Sequence, residues 1–79
     1  MDIISIKEHL VAEIANILEL EETEITDQSD FVEDLGMDSL QALELMVSLE
    51  KKFRISFPEE ALGQFTNIQS VVHAMQALG

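Results

Sequence analysis

Apolar residues in this chain of 79 recur at intervals of three and four and never in sustained alternation. That period belongs to helices that bury one stripe, and it leaves no segment suited to a strand. From Ile3 to Leu18 the apolar positions are Ile3, Ile6, Leu10, Ile14, Ile17 and Leu18, with Glu8, His9, Ala12, Glu13 and Asn16 on the other side. This predicts one amphipathic helix. A second is predicted to open at Asp38, with Gln41 at capping-box spacing, and to run to about Phe53. Pro58, Glu59 and Glu60 suit the start of a short third helix, and Gly63 suits its end. Thr66 with Gln69 repeats the capping spacing ahead of a stripe of Ile68, Val71, Val72, Met75 and Leu78. The expected fold is all-α: a small four-helix bundle of three longer helices and one short one, in a single domain over residues 1–79. A long loop separates the first two helices.

Charge narrows the partners. The chain has 4 Lys and Arg against 16 Asp and Glu, a net charge of -12. Nucleic-acid binding depends on cations that displace condensed counterions, so a polyanion would be repelled, as would an anionic membrane surface. Yet 47% of the residues are hydrophobic, too many for a disordered acidic chain. A core of this size supplies only about 3–5 kcal/mol, which argues against an occluded catalytic pocket. Without Cys there is no disulfide framework, thiolate nucleophile or zinc–sulfur site. The longest apolar runs, such as Leu45-Met46-Val47, are too short to span a bilayer, and the first residues lack the pattern of a secretion signal. The expectation is a cytoplasmic monomer without a resident metal.

The loop from Glu19 to Asp38 holds nine acidic residues and no basic one, with Ile25, Phe31, Val32 and Leu35 expected to pin it to the core. Read from Asp27 or Asp30, it lacks the glycine at the sixth position and the glutamate at the twelfth of a calcium loop.

The second helix carries more apolar surface than a bundle needs. At about 100° per residue, Ala42, Leu45, Met46, Leu49 and Phe53 form a normal core stripe. Leu40, Leu43 and Val47 form a separate strip, flanked by Glu50 on one side and by Glu44 and Lys51 on the other. The strip either packs beneath the long loop or stays exposed for a partner; its charged rim favours the partner.

Ser39 comes directly after the capping Asp38. It is either an ordinary helix-start residue or the carrier of a phosphate ester, because the free N–H groups and dipole of a helix N-terminus tolerate negative charge there. Asp34 and Asp38 oppose such charge unless a divalent ion bridges them during attachment. A serine hydrolase is not supported. The surrounding Met37-Asp38-Ser39-Leu40 lacks the glycines of a nucleophile elbow, and the only candidate bases are His9, read as a solvated surface residue, and His73, read as a boundary residue.

Asp34-Leu35-Gly36-Met37-Asp38-Ser39-Leu40, then Glu44-Leu45 and Leu49-Glu50, resembles the acyl carrier protein family. The similarity extends over nearly the whole chain, including Phe31 and Phe57-Pro58-Glu59-Glu60-Ala61. The resemblance implies a non-catalytic carrier with 4′-phosphopantetheine on Ser39, transferred from coenzyme A by a separate magnesium-dependent phosphopantetheinyl transferase. The arm's thiol would hold acyl thioesters for acyl-transferring, condensing and tailoring enzymes of fatty acid, polyketide or related lipid synthesis. It also implies docking through the second helix, at Asp38, Leu40, Glu44, Val47 and Glu50. Cargo would be sheltered against Leu45, Met46, Ile55, Phe57, Ala61 and Leu62. Lys51, Lys52 and Arg54 depart from the usual acidic end of that helix. They either complement the helix dipole or alter the docking surface and hence the choice of partner. A peptidyl, aryl or D-alanyl carrier, and an unmodified acidic interaction module, are the competing readings.

Overall fold

A computed structural model describes residues 2–78. Helix α1 spans Ile3–Leu18, α2 Ser39–Phe53 and α3 Ile68–Leu78, with short 3-10 helices at Glu22–Glu24 and Glu59–Gln64. The all-α expectation holds, and the predicted bounds of α1 and α2 agree with those observed. The 3-10 turn at Glu22–Glu24 lies inside the loop, where the sequence predicts no regular structure.

Each helix begins for a local reason. At α1, the Asp2 carboxylate accepts from the Ile4 N–H at 3.2 Å and the Ser5 hydroxyl at 3.1 Å. At α2, Asp38 accepts from the Gln41 N–H at 2.8 Å while the Gln41 side chain accepts from the Asp38 N–H at 3.0 Å, the reciprocal arrangement that its sequence predicts. The start of α3 differs from expectation. Asn67, not Thr66, caps it, accepting from the Ser70 N–H at 2.8 Å, and the Ser70 hydroxyl oxygen in turn lies 3.1 Å from the Asn67 nitrogen. Pro58 precedes the short helix instead of opening it, and Gly63 lies within that helix instead of ending it.

Helices α1 and α2 each end on a non-glycine residue in the left-handed region, Glu19 at φ 56° and Arg54 at φ 55°. In that conformation the Cβ crowds the following carbonyl, which costs about 1–2 kcal/mol per residue. The turn is held because the N–H groups of Glu19 and Leu20 bond the Ala15 carbonyl and those of Arg54 and Ile55 bond the Glu50 carbonyl.

The core is wholly apolar; among the described residues no polar or charged side chain is buried. Ile6, Leu10 and Ile14 of α1 meet Leu45, Met46 and Leu49 of α2 and Ile68, Val71 and Met75 of α3 in one cluster. The acidic loop joins this cluster through Ile25, Phe31 and Met37, with Leu35 packed at its edge. Val32, expected to help, is 60% exposed. Its neighbour, the larger Phe31, takes the inward place at 0% exposure. Its N–H donates to the Thr66 carbonyl at 2.8 Å, and its own carbonyl accepts from the Met37 N–H at 2.8 Å. The loop is thereby fastened to the start of α3.

Many loop carboxylates are engaged by their own backbone. Asp30 accepts from the N–H groups of Val32 and Glu33, and Asp34 accepts from that of Asp30. Lys7 donates to Asp27 at 2.6 Å across the exposed α1–loop junction, a contact of little energetic weight in water.

Truncating Phe31 to Ala should remove about 3–5 kcal/mol, comparable to the whole stability of a core this size. Circular dichroism should then find the variant largely unfolded at room temperature, while Val32→Ala melts like the parent. Self-repulsion at a charge of -12 sets a second expectation. Raising ionic strength from about 0.01 to about 0.15 M shortens the Debye length from about 30 to about 8 Å and should raise the melting temperature; no rise would mean that the loop carboxylates are too well separated to repel one another.

Candidate functional site

Ser39 is the first residue of α2 and is exposed to solvent. Its position is fixed from both sides. On the helical side stands the Asp38–Gln41 capping pair, with the Ala42 N–H on the Asp38 carbonyl at 2.9 Å. On the loop side Met37 is buried at 2% exposure, and Gly36 turns the chain at φ 76° with its N–H on the Val32 carbonyl at 3.1 Å. A side chain on Gly36 would meet nothing within 4 Å, so the glycine serves the backbone angle and not a close approach. Met37 is an anchor that the sequence pattern does not single out at first sight. Its signal is local: an apolar residue just before a helix cap, with Ala42 five positions on, has the spacing of a hydrophobic staple.

The arrangement presents a hydroxyl at the N-terminus of a 15-residue helix, where unpaired N–H groups favour an attached anion. The repulsion expected from Asp34 and Asp38 is reduced, since both carboxylates already accept backbone N–H groups, from Asp30 and Gln41. A phosphodiester on Ser39 therefore fits the residues around it. His9 bonds the Ser48 hydroxyl at 3.1 Å, about 13 Å along the helix from Ser39, and among the described residues no cluster of three metal-ligating side chains exists.

His9 departs from its expected role as a solvated residue. Half-buried, it links α1 to α2 through Ser48 and sets its ring edge-on to Phe53 at a centroid distance of 5.6 Å. His73, expected at the edge of the α3 stripe, is exposed beside Gln69 and Ser70.

The surplus strip of α2 does not lie under the loop. Leu40, Leu43 and Val47 are 65%, 41% and 39% exposed, with Asp38 and Glu44 exposed beside them. The loop passes elsewhere, tied to α3 by the Phe31–Thr66 bond and a Gln28–Gln69 hydrogen bond of 2.9 Å, and to α1 by Lys7. Glu50 stands apart from the other rim acids. It is half-buried, and its carboxylate accepts the Phe57 N–H at 2.9 Å, bracing the turn after α2. Lys51 and Lys52 are exposed in the last turn, and Arg54 is the cap beyond them. Leu45, Met46, Phe57 and Ala61 are buried in the same cluster, with Ile55 and Leu62 packed against it. No helix among the described residues is long and apolar enough to cross a membrane.

Comparison with known proteins agrees with this geometry. The family described as "Phosphopantetheine attachment site" matches residues 8–75. Polyketide-8 synthase acyl carrier protein 2 of Streptomyces avermitilis is 44% identical over 63 residues, covering 80% of this chain and 72% of that protein. An acyl carrier protein of Helicobacter pylori is 40% identical over 65 residues, covering 82% of this chain and 83% of its own length. A helical bundle that offers one exposed serine at a capped helix start, and a family match spanning most of its length, have one explanation: the chain belongs to the acyl carrier protein family and carries acyl groups on covalent 4′-phosphopantetheine.

Proposed function

We propose that Ser39 is the attachment residue and that residues 1–79 act as a single, cytoplasmic, monomeric and non-catalytic carrier domain. The observation carrying this reading is the exposed Ser39 hydroxyl on the first turn of α2, held between the buried Met37 and the Asp38–Gln41 capping pair. When bound, the arm supplies the thiol that this chain without Cys lacks, and acyl groups are held there as thioesters.

The protein's own residues position and present. Asp38 fixes the first turn so that Ser39 projects outward, and the N–H groups of that turn offset the charge of the ester. Asp38, Leu40, Glu44 and Val47 form the docking face, with Lys51, Lys52 and Arg54 at its far end. Glu50 contributes by holding the turn beneath that end. The partners are a phosphopantetheinyl transferase and the acyl-transferring, condensing and tailoring enzymes of fatty acid, polyketide or related lipid synthesis. Leu45, Met46, Ile55, Phe57, Ala61 and Leu62 would shelter the cargo; they belong to a core without polar groups that an aliphatic chain could enter without breaking hydrogen bonds.

Incubation with coenzyme A, magnesium and a transferase of broad tolerance should raise the intact mass by one phosphopantetheine, and Ser39→Ala should abolish the rise. An unchanged mass for the parent would refute the assignment. Asp38→Ala should lower stability by about 1 kcal/mol through loss of the cap and slow the loading of Ser39, read as the rate of mass conversion.

A further inference from the structure

In a chain with four basic side chains among sixteen acids, every cation would be expected to find a carboxylate. Only Lys7 does. Among the described residues, Lys51, Lys52 and Arg54 have no carboxylate within 4.0 Å. Two of these free cations line an open groove of about 460 Å³ between α1 and α2, together with His9, Glu44, Val47 and Ser48. The hydrogen bond between His9 and Ser48 and the edge contact of His9 with Phe53 hold the two helices together along this groove.

The groove continues the exposed strip. Leu40, Glu44, Val47 and Lys51 succeed one another at steps of three or four on α2, a single row about 16 Å long. Along that face the surface runs from acid, at Asp38, through the apolar Leu40, Leu43 and Val47 with Glu44 among them, to base, at Lys51 and Lys52.

We propose that the lysine end of the groove between α1 and α2, about 10 Å along the helix from Glu44, receives an Asp or Glu side chain of the partner enzyme, with Lys51 and Lys52 as its counter-ions and Val47 as the adjoining apolar contact. This rests on the reading of α2 as the docking face and adds the chemistry of the partner. An enzyme that fits must present a cation, an apolar patch and a carboxylate in that order over about 20 Å, the rise from Asp38 to Lys51. A surface that is basic throughout meets like charge at the far end and is disfavoured. The order also has a direction, so it selects one orientation of α2 across the entrance of the partner's site.

The test uses the holo protein loaded with malonate and a condensing enzyme that accepts it. Lys51→Glu with Lys52→Glu should raise KM at least about fivefold with kcat little changed, and Lys51→Gln with Lys52→Gln should raise it by less. Exchanging the matching acid of the enzyme for Lys should restore the Glu variant. A KM that is unchanged or lower in the Glu variant overturns the proposal, because the facing surface is then neutral or basic. A rise in KM that tracks a fall in melting temperature, and is equal in the Gln and Glu variants, also overturns it by assigning the lysines to the helix dipole. Failure of the Ser39 reading would look different: the parent would gain no mass from the transferase and support no turnover at all.

Discussion

The placement of Phe31 is the constraint on which the functional end of the molecule depends. Twenty residues from Glu19 to Asp38 separate α1 from α2, and a connection of that length does not by itself position the helix beyond it. Burial of one aromatic ring, with its N–H on the Thr66 carbonyl and its carbonyl on the Met37 N–H, ties the loop to the start of α3 and delivers Met37 into the core. Immediately after Met37 the chain reaches Asp38 and Ser39. The exposed serine is thus located by apolar contacts that it does not itself make. The same fastening keeps the loop away from the outer face of α2 and leaves Leu40, Leu43 and Val47 open.

Net charge alone describes this surface poorly. Several acids are structural, with Asp2, Asp30, Asp34 and Asp38 accepting backbone N–H groups and Glu50 bracing the turn before the short helix. The exposed charges on α2 are nonetheless arranged in space, with Asp38 and Glu44 toward its start and Lys51 and Lys52 in its last turn. Electrostatics of this kind governs encounter and orientation more than affinity, which suits a carrier that must visit several enzymes and leave each one.

Much of this is legible in the residues, and the exceptions have physical causes. The extent of α1 and α2 comes from their apolar period and from the Asp38–Gln41 pair, both local properties. The start of α3 does not. Thr66 and Asn67 are both capping types, and the choice between them is made by Phe31, which bonds the Thr66 carbonyl from 35 residues away. Phe31 and Val32 are adjacent and both apolar, so only the folded turn decides which is buried. His9 looks like a polar-face residue until α2 supplies Ser48 and Phe53. Ser39 can be singled out from its capping context and the resemblance around it, whereas exposure of the neighbouring strip depends on the path of the loop.

The left-handed cap at Arg54 carries one more consequence. A glycine there would release about 1 kcal/mol or more of backbone crowding, a large share of what so small a core supplies. The chain instead holds a long cationic side chain where its backbone favours none at all. Thermal robustness and charge pattern are therefore in direct competition at the end of α2. A carrier redesigned for heat resistance by the usual route of helix-capping glycines would lose, at this one residue, one of only four cations on an acidic chain.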